Sequence, residues 1–258
     1  MPRSGEVSTV QAGEDMSTDD LSEINKFDRI AHEWWDPNGR FKPLHRINPV
    51  RSSYIQERLA DCGFADMSKV RILDIGCGGG ILSEELDRLG ASVTAIDRSE
   101  NIIGVAKAHQ SESGSRVDYR LQSVGDLARE TPASFDAVVA MEVLEHVADP
   151  PEFVRECAMV LKPGGLLFFS TLNRTMRAWL LAIVGAEYVL GWLPRGTHQY
   201  DRFIRPSELS GWLRATGIHV RDVSGMSYVL WRDAWEISRD PSVNYLGYGI
   251  LGTAVSGD

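Results

Sequence analysis

The chain has 258 residues, the length of one large α/β domain with additions or of two small domains, and 43% of them are hydrophobic, ample for a core. A net charge of -9 with a pI near 5.2 leaves no lysine or arginine stripe to neutralise phosphates, which excludes a nucleic-acid partner. Cys62, Cys77 and Cys157 are dispersed and odd in number, so neither a disulfide framework nor a thiolate zinc site is expected, and a reducing cytoplasm fits.

Residues 1–21 are rich in Ser, Thr, Asp, Glu and Gly and contain no apolar signal core, which predicts a disordered tail. One domain is then expected over 22–245, with a helical cover at 22–65, an apolar insert at 174–200 and a flexible tail at 246–258. Ile24, Phe27, Ile30, Ala31 and Trp34 recur at helical spacing over 22–35, and Asp36-Pro37-Asn38-Gly39 ends that helix. Asn48-Pro49 has the pattern of an N-cap followed by proline at the first helical position, placing Arg51 in the first turn of a helix through 59.

From Val70 onward strand and helix alternate: strands at 70–75, 92–97, 117–122, 135–141 and 166–171, helices at 81–89, 100–110 and 151–161. A later helix at 206–216 precedes strands at 218–223 and 227–231. The predicted fold is Rossmann-like α/β, a doubly wound, mostly parallel seven-stranded sheet with helices on both faces and an antiparallel last strand. Ligands of such sheets bind beyond the carboxyl ends of the strands at the topological switch point, and Gly76, Asp97, Gln122 and Met141-Glu142 each follow a strand.

Gly76-Cys77-Gly78-Gly79-Gly80 provides four glycines in five residues, which lets backbone approach a ligand that a Cβ would hold off. A dinucleotide fingerprint needs a small residue where Ile81 stands, so a nicotinamide cofactor is disfavoured. Asp74 is suited to an ammonium group and Asp97 to a ribose diol, which together point to S-adenosylmethionine. Strand 135–141 then delivers Glu142, Glu145 and His146 to the same edge. These three residues would bind a hard divalent ion such as Mg²⁺, or act without metal as a general base and substrate-positioning groups, with His146 the preferred base. Lys162-Pro163-Gly164-Gly165 reads as a structural turn.

The apolar run at 178–193 is too short for a comfortable membrane span of ~20 residues. Trp179, Tyr188 and Trp192, bracketed by Arg174, Arg177 and Arg195, suit either a bilayer-interface helix or a buried lid. Both versions place a greasy element where a substrate with a long hydrocarbon tail would enter.

Arg46-Ile47-Asn48-Pro49, Asp74-Ile75-Gly76-Cys77-Gly78-Gly79-Gly80, Glu142-Val143-Leu144-Glu145-His146, Ser170-Thr171-Leu172-Asn173-Arg174 and Gly185-Ala186-Glu187-Tyr188 together resemble the ubiquinone-biosynthesis O-methyltransferase family of class I methyltransferases. The resemblance spans about residues 27–245. It implies methylation of a 2-polyprenyl-6-hydroxyphenol and of 3-demethylubiquinol, other enzymes of the same pathway as partners, and a cytoplasmic location, peripheral on the inner membrane face. By the same resemblance Arg51 would hold the cofactor carboxylate, Gly76 its methionine portion, Asp97 the ribose and Met141 the cofactor wall, with Glu142, Glu145 and His146 at positions that bind Mg²⁺ in eukaryotic relatives; Gly78 is a further cofactor-binding candidate from the glycine turn itself. Rival readings are a methyltransferase for another small phenol or lipid, and a protein that binds S-adenosylmethionine without turnover.

Overall fold

A computed structural model describes residues 33–178, 200–232 and 234–253. The expected tail at 1–21, most of the 22–35 helix and most of the 178–193 insert lie outside these residues. Helix α1 (Lys42–Asp61) precedes the alternating part, which comprises β1 (Arg71–Ile75), α2 (Ile81–Arg88), β2 (Ser92–Asp97), α3 (Glu100–Ser113), β3 (Asp118–Leu121), α4 (Val124–Glu130), β4 (Phe135–Met141), α5 (Pro150–Val160) and β5 (Leu161–Leu172). Helix α6 (Pro206–Ala215), β6 (Ile218–Val229), β7 (Ala234–Ser238) and β8 (Asn244–Leu251) complete the described chain.

The strands form one sheet in the order β3-β2-β1-β4-β5-β8-β6-β7. The first five are parallel and the last three pair antiparallel. The doubly wound parallel half matches the expectation, but there are eight strands where seven are predicted. The two short strands expected at 218–223 and 227–231 are one continuous β6, and β7 and β8 are additional. Residues 246–251, expected as the start of a flexible tail, are instead the body of β8, a central strand paired on both sides.

Alternate residues of each strand feed opposite faces, as a pleated strand requires. Ile72 and Phe168 join Ile55, Leu59, Leu86 and Ile103 beneath α1, α2 and α3. Their neighbours Leu73 and Phe169 join Leu127, Phe153, Cys157 and Leu213 beneath α4, α5 and α6. Because both faces are covered, β4 is buried along its whole length, which explains the apolar run Ala137–Met141; the buried Asp136 accepts from Arg71 N and Lys162 Nζ.

Helix α1 begins six residues before the expected N-cap Asn48, with Pro43 in its first turn and Pro49 inside it. The Asn48 side chain therefore caps nothing; its amide donates to the Ile81 carbonyl at 3.2 Å and ties α1 to the start of α2. The switch point of the sheet falls between β1 and β4, and the carboxyl ends of both open onto the same crevice. Among the described residues no helix is long and apolar enough to cross a membrane.

Candidate active site

Strand β1 leads into a turn whose Gly76, Gly78 and Gly80 have φ of +66°, +56° and +93°, a region costly to residues with a Cβ. Side chains of the protein fill the room the missing Cβ atoms leave: Val143 against Gly76, Trp34 against Gly78 and Gly79, and Tyr119 against Gly80. The backbone N–H groups of Gly76 and Cys77 donate to the Ile96 carbonyl, and that of Gly78 donates to Asp97 Oδ2 at 3.1 Å. The turn is thus fastened to the end of β2, and its glycines serve close packing as well as ligand clearance.

Asp97 closes β2, half-buried, and its other oxygen accepts from Ser99 N at 3.0 Å. That carboxylate is fixed by backbone donors at the mouth of the crevice. Asp74, near the end of β1, is 3% exposed and accepts from Ser83 Oγ at 2.6 Å. Burial pushes its carboxyl up to about 7, with the Asp97 charge adding to the rise and the Ser83 hydrogen bond and Arg51 opposing it.

Arg51 reaches in from the middle of α1. It is 7% exposed, its Nη2 lies 2.9 Å from Glu142 Oε1, and its Nε has no hydrogen-bond partner among the described residues. Glu142 follows β4 with φ +56°, a conformation few residues other than glycine adopt. Ser170 Oγ donates to Glu142 Oε1 at 2.7 Å and the Glu142 N–H donates to the Ser170 carbonyl at 3.0 Å, so β5 holds the kinked residue in place. Met141 sits buried at the last position of β4, paired with Ser170.

Glu145 and His146 belong to a single 3₁₀ turn, Leu144–His146. Glu145 is 3% exposed and accepts from Thr171 Oγ1 at 2.7 Å, while its Oε1 lacks a partner among the described residues. Burial, reinforced by the neighbouring Glu142 charge, pushes this carboxyl well above its usual range. His146 is half-buried, with its N–H on the Val143 carbonyl.

The structure therefore gathers Arg51, Asp74, Gly76, Gly78, Asp97, Met141, Glu142, Glu145 and His146 at one edge, as the sequence suggests. It does not shape Glu142, Glu145 and His146 into a metal site. Among the described residues no three Asp, Glu, His or Cys side chains are grouped to hold a metal ion. The left-handed backbone at Glu142 and the short 3₁₀ turn keep the three side chains from sharing one helical face. One carboxylate is engaged by Arg51 and Ser170, the other is buried against Thr171, and imidazole is a poor partner for Mg²⁺. Ser83 packs at the site without a sequence signal of its own, while Ser170 and Thr171, noted only as part of a motif, act on Glu142 and Glu145 that lie 28 and 26 residues away.

A family model described as a methyltransferase domain matches residues 50–223. The chain is 54% identical over 229 residues to the ubiquinone biosynthesis O-methyltransferase of Xanthomonas euvesicatoria pv. vesicatoria (strain 85-10), covering 89% of this chain and 93% of that protein. The enzyme of the same name from Xylella fastidiosa (strain M23) is also 54% identical, with coverages of 89% and 91%. Among solved structures, magnesium protoporphyrin IX methyltransferase from Synechocystis PCC 6803 with bound SAH shares the fold at a TM-score of 0.63 and 18% identity, over 88% of this chain and 95% of that one.

Proposed function

The chain belongs to the ubiquinone biosynthesis O-methyltransferase family, and from that membership we propose that it moves a methyl group from S-adenosylmethionine to the phenolic hydroxyl of a 2-polyprenyl-6-hydroxyphenol and of 3-demethylubiquinol. One arrangement carries the reading: Asp74 and Asp97 flank the glycine turn at the ends of adjacent strands, with Glu142 and His146 one strand away across the switch point.

The residues fit that cofactor. A buried guanidinium with an unpartnered Nε suits a carboxylate, the Asp74 carboxyl suits an ammonium, and Asp97 accepts from a diol. When bound, S-adenosylmethionine supplies an electrophilic methyl on a good leaving group. The protein must then align an acceptor oxygen with it and exclude water, and such positioning is worth about 7–11 kcal/mol of barrier in well-oriented systems. A phenol with an ordinary pKa of about 10 also has to lose its proton, and His146 is assigned that role. Glu142 orients Arg51 through their ion pair. Glu145, buried and accepting from Thr171, holds the shape of the turn.

From its apolar and aromatic sequence we assign the segment at 178–193 to the acceptor's hydrocarbon tail and to peripheral contact with the inner face of the cytoplasmic membrane. Met176, 71% exposed just before that segment in the chain, supports the assignment. Loss of vesicle flotation on deleting 179–193 is the expected outcome; equal flotation contradicts it.

The test of the activity is transfer of labelled methyl from S-adenosylmethionine to catechols with progressively shorter prenyl tails. Transfer that declines as the tail shortens is expected. Undiminished transfer to a tail-less phenol points to another small acceptor, and donor binding without any transfer points to a non-catalytic role.

A further inference from the structure

The surface above Gly78 and Gly79 is covered by an indole. A Cβ at Gly78 would stand 2.1 Å from Trp34 Cζ2 and one at Gly79 would stand 2.2 Å from Trp34 Cδ1. Those atoms are at opposite ends of the ring, so the indole spans two consecutive residues of the turn at a distance only glycine permits.

The ring is supported from several sides. Phe41 stacks on it with centroids 4.0 Å apart, and a His45 ring nitrogen lies 3.0 Å from the Trp34 carbonyl oxygen. The adjacent Trp35 donates from Nε1 to the Gly79 carbonyl at 2.8 Å and stacks on His109 at 3.4 Å with only 4° between the planes. His109 is held in turn by Glu84, 3.0 Å from its Nδ1. None of these anchors uses Asp74, Asp97 or Arg51, so a ligand on those three groups leaves the strap intact.

Trp34 is 7% exposed, yet it belongs to neither main core. Among the described residues its cluster contains Phe41 and Ile102 as buried partners, and Ile102 lies in the first turn of α3, just past Asp97. A large aromatic buried at the ligand edge, apart from both cores, contributes little to holding the sheet together. Its position matches a wall of the crevice.

We propose that Trp34 is a cofactor-contact residue, its indole roofing the glycine turn and offering the methyl donor the rim of the ring. The inference rests on the S-adenosylmethionine reading above. The ring lies on the turn and Phe41 stacks on it, so its apolar rim is what packs against the apolar and sugar surface of that ligand.

Calorimetric titration with S-adenosylhomocysteine, alongside thermal unfolding without ligand, tests the assignment in the full-length protein. Trp34→Ala is expected to weaken binding by about tenfold or more and Trp34→Phe by about threefold or less, because a phenyl ring retains part of the wall. In turnover, Trp34→Ala should raise KM for the donor while kcat and the acceptor KM stay within about twofold of wild type. Trp35→Phe removes the bond to Gly79 but leaves Trp34 in place, so it should lower Tm while costing less affinity than Trp34→Ala. Equal affinity losses in Trp34→Ala and Trp35→Phe would make the indole a purely structural brace and overturn the proposal. Unchanged or tighter binding by Trp34→Ala overturns it too. A wild type that fails to bind removes the donor reading and this inference together.

Discussion

Asp74 is poised to respond to its ligand. Its folded-state pKa of about 7 stands above the ordinary carboxyl value, so the stability this group contributes is complete below about pH 4 and is lost as pH rises through 7. An ammonium beside it reverses the preference, favouring the ionised form and expelling the proton. We therefore expect S-adenosylhomocysteine affinity to rise between about pH 6 and 8, with proton release visible as a buffer-dependent heat, and Asp74→Asn to flatten that dependence. A wild type that binds without releasing a proton would contradict this assignment. Asp97 accepts backbone bonds from both Gly78 and Ser99, so Asp97→Ala should loosen the turn as well as remove a ribose acceptor, costing roughly 1.5–3 kcal/mol of binding free energy. Undiminished calorimetric affinity would reject that role. His146→Ala should cut kcat by about 100-fold while leaving donor affinity near wild type, and a comparable fall in affinity would make His146 a wall residue instead. Asp74, Asp97 and His146 were legible because polar side chains at or just past the carboxyl ends of apolar strands stand out. The Arg51 pairing with Glu142 was not, because its partner lies 91 residues away.

Secondary-structure elements were most legible where both faces of a strand are buried. Phe135–Met141 agrees to the residue with its expected span, since the apolar run Ala137–Met141 ending at Glu142 has few alternatives. Strand β8 was hidden by its own glycines: Leu246-Gly247-Tyr248-Gly249 lacks the branched residues that mark a strand. The structure supplies the reason. A Cβ at Gly247 would stand 2.3 Å from the Asp222 carbonyl oxygen and 2.7 Å from Phe169 Cζ, so glycine admits an aromatic ring and the neighbouring strand at one point. Gly247→Val should therefore lower stability by about 2–3 kcal/mol, read as a reduced denaturant midpoint, and an unchanged midpoint would show that the packing can yield. The same confusion of signals displaced the start of α1. Asn48-Pro49 and Lys42-Pro43 both resemble helix starts, and the cluster of Phe41 with Trp34 selects the earlier one.

At the scale of the molecule, the antiparallel strands β8, β6 and β7 extend the sheet past β5, and the β6–β7 hairpin reaches back to α1 through Arg46 Nη1, 3.0 Å from Tyr228 Oη. Tyr54, donating to Asp222 Oδ2 at 2.6 Å, makes a second link between α1 and β6. The cover helix that carries Arg51 is thus braced by the late strands, so cofactor binding depends on elements far apart in sequence. None of this tertiary bracing shows in local periodicity, which is why the parallel half of the sheet was readable and the late half only partly so. The central claim, that the crevice at the β1–β4 switch point holds S-adenosylmethionine for methyl transfer, is tested most directly by a crystal structure of the protein grown with S-adenosylhomocysteine. The account predicts the ribose diol on Asp97, the amino-acid end between Arg51 and Asp74, and the sulfur facing the His146 side of the crevice. A ligand bound elsewhere, or seated with its ribose away from Asp97, would contradict it.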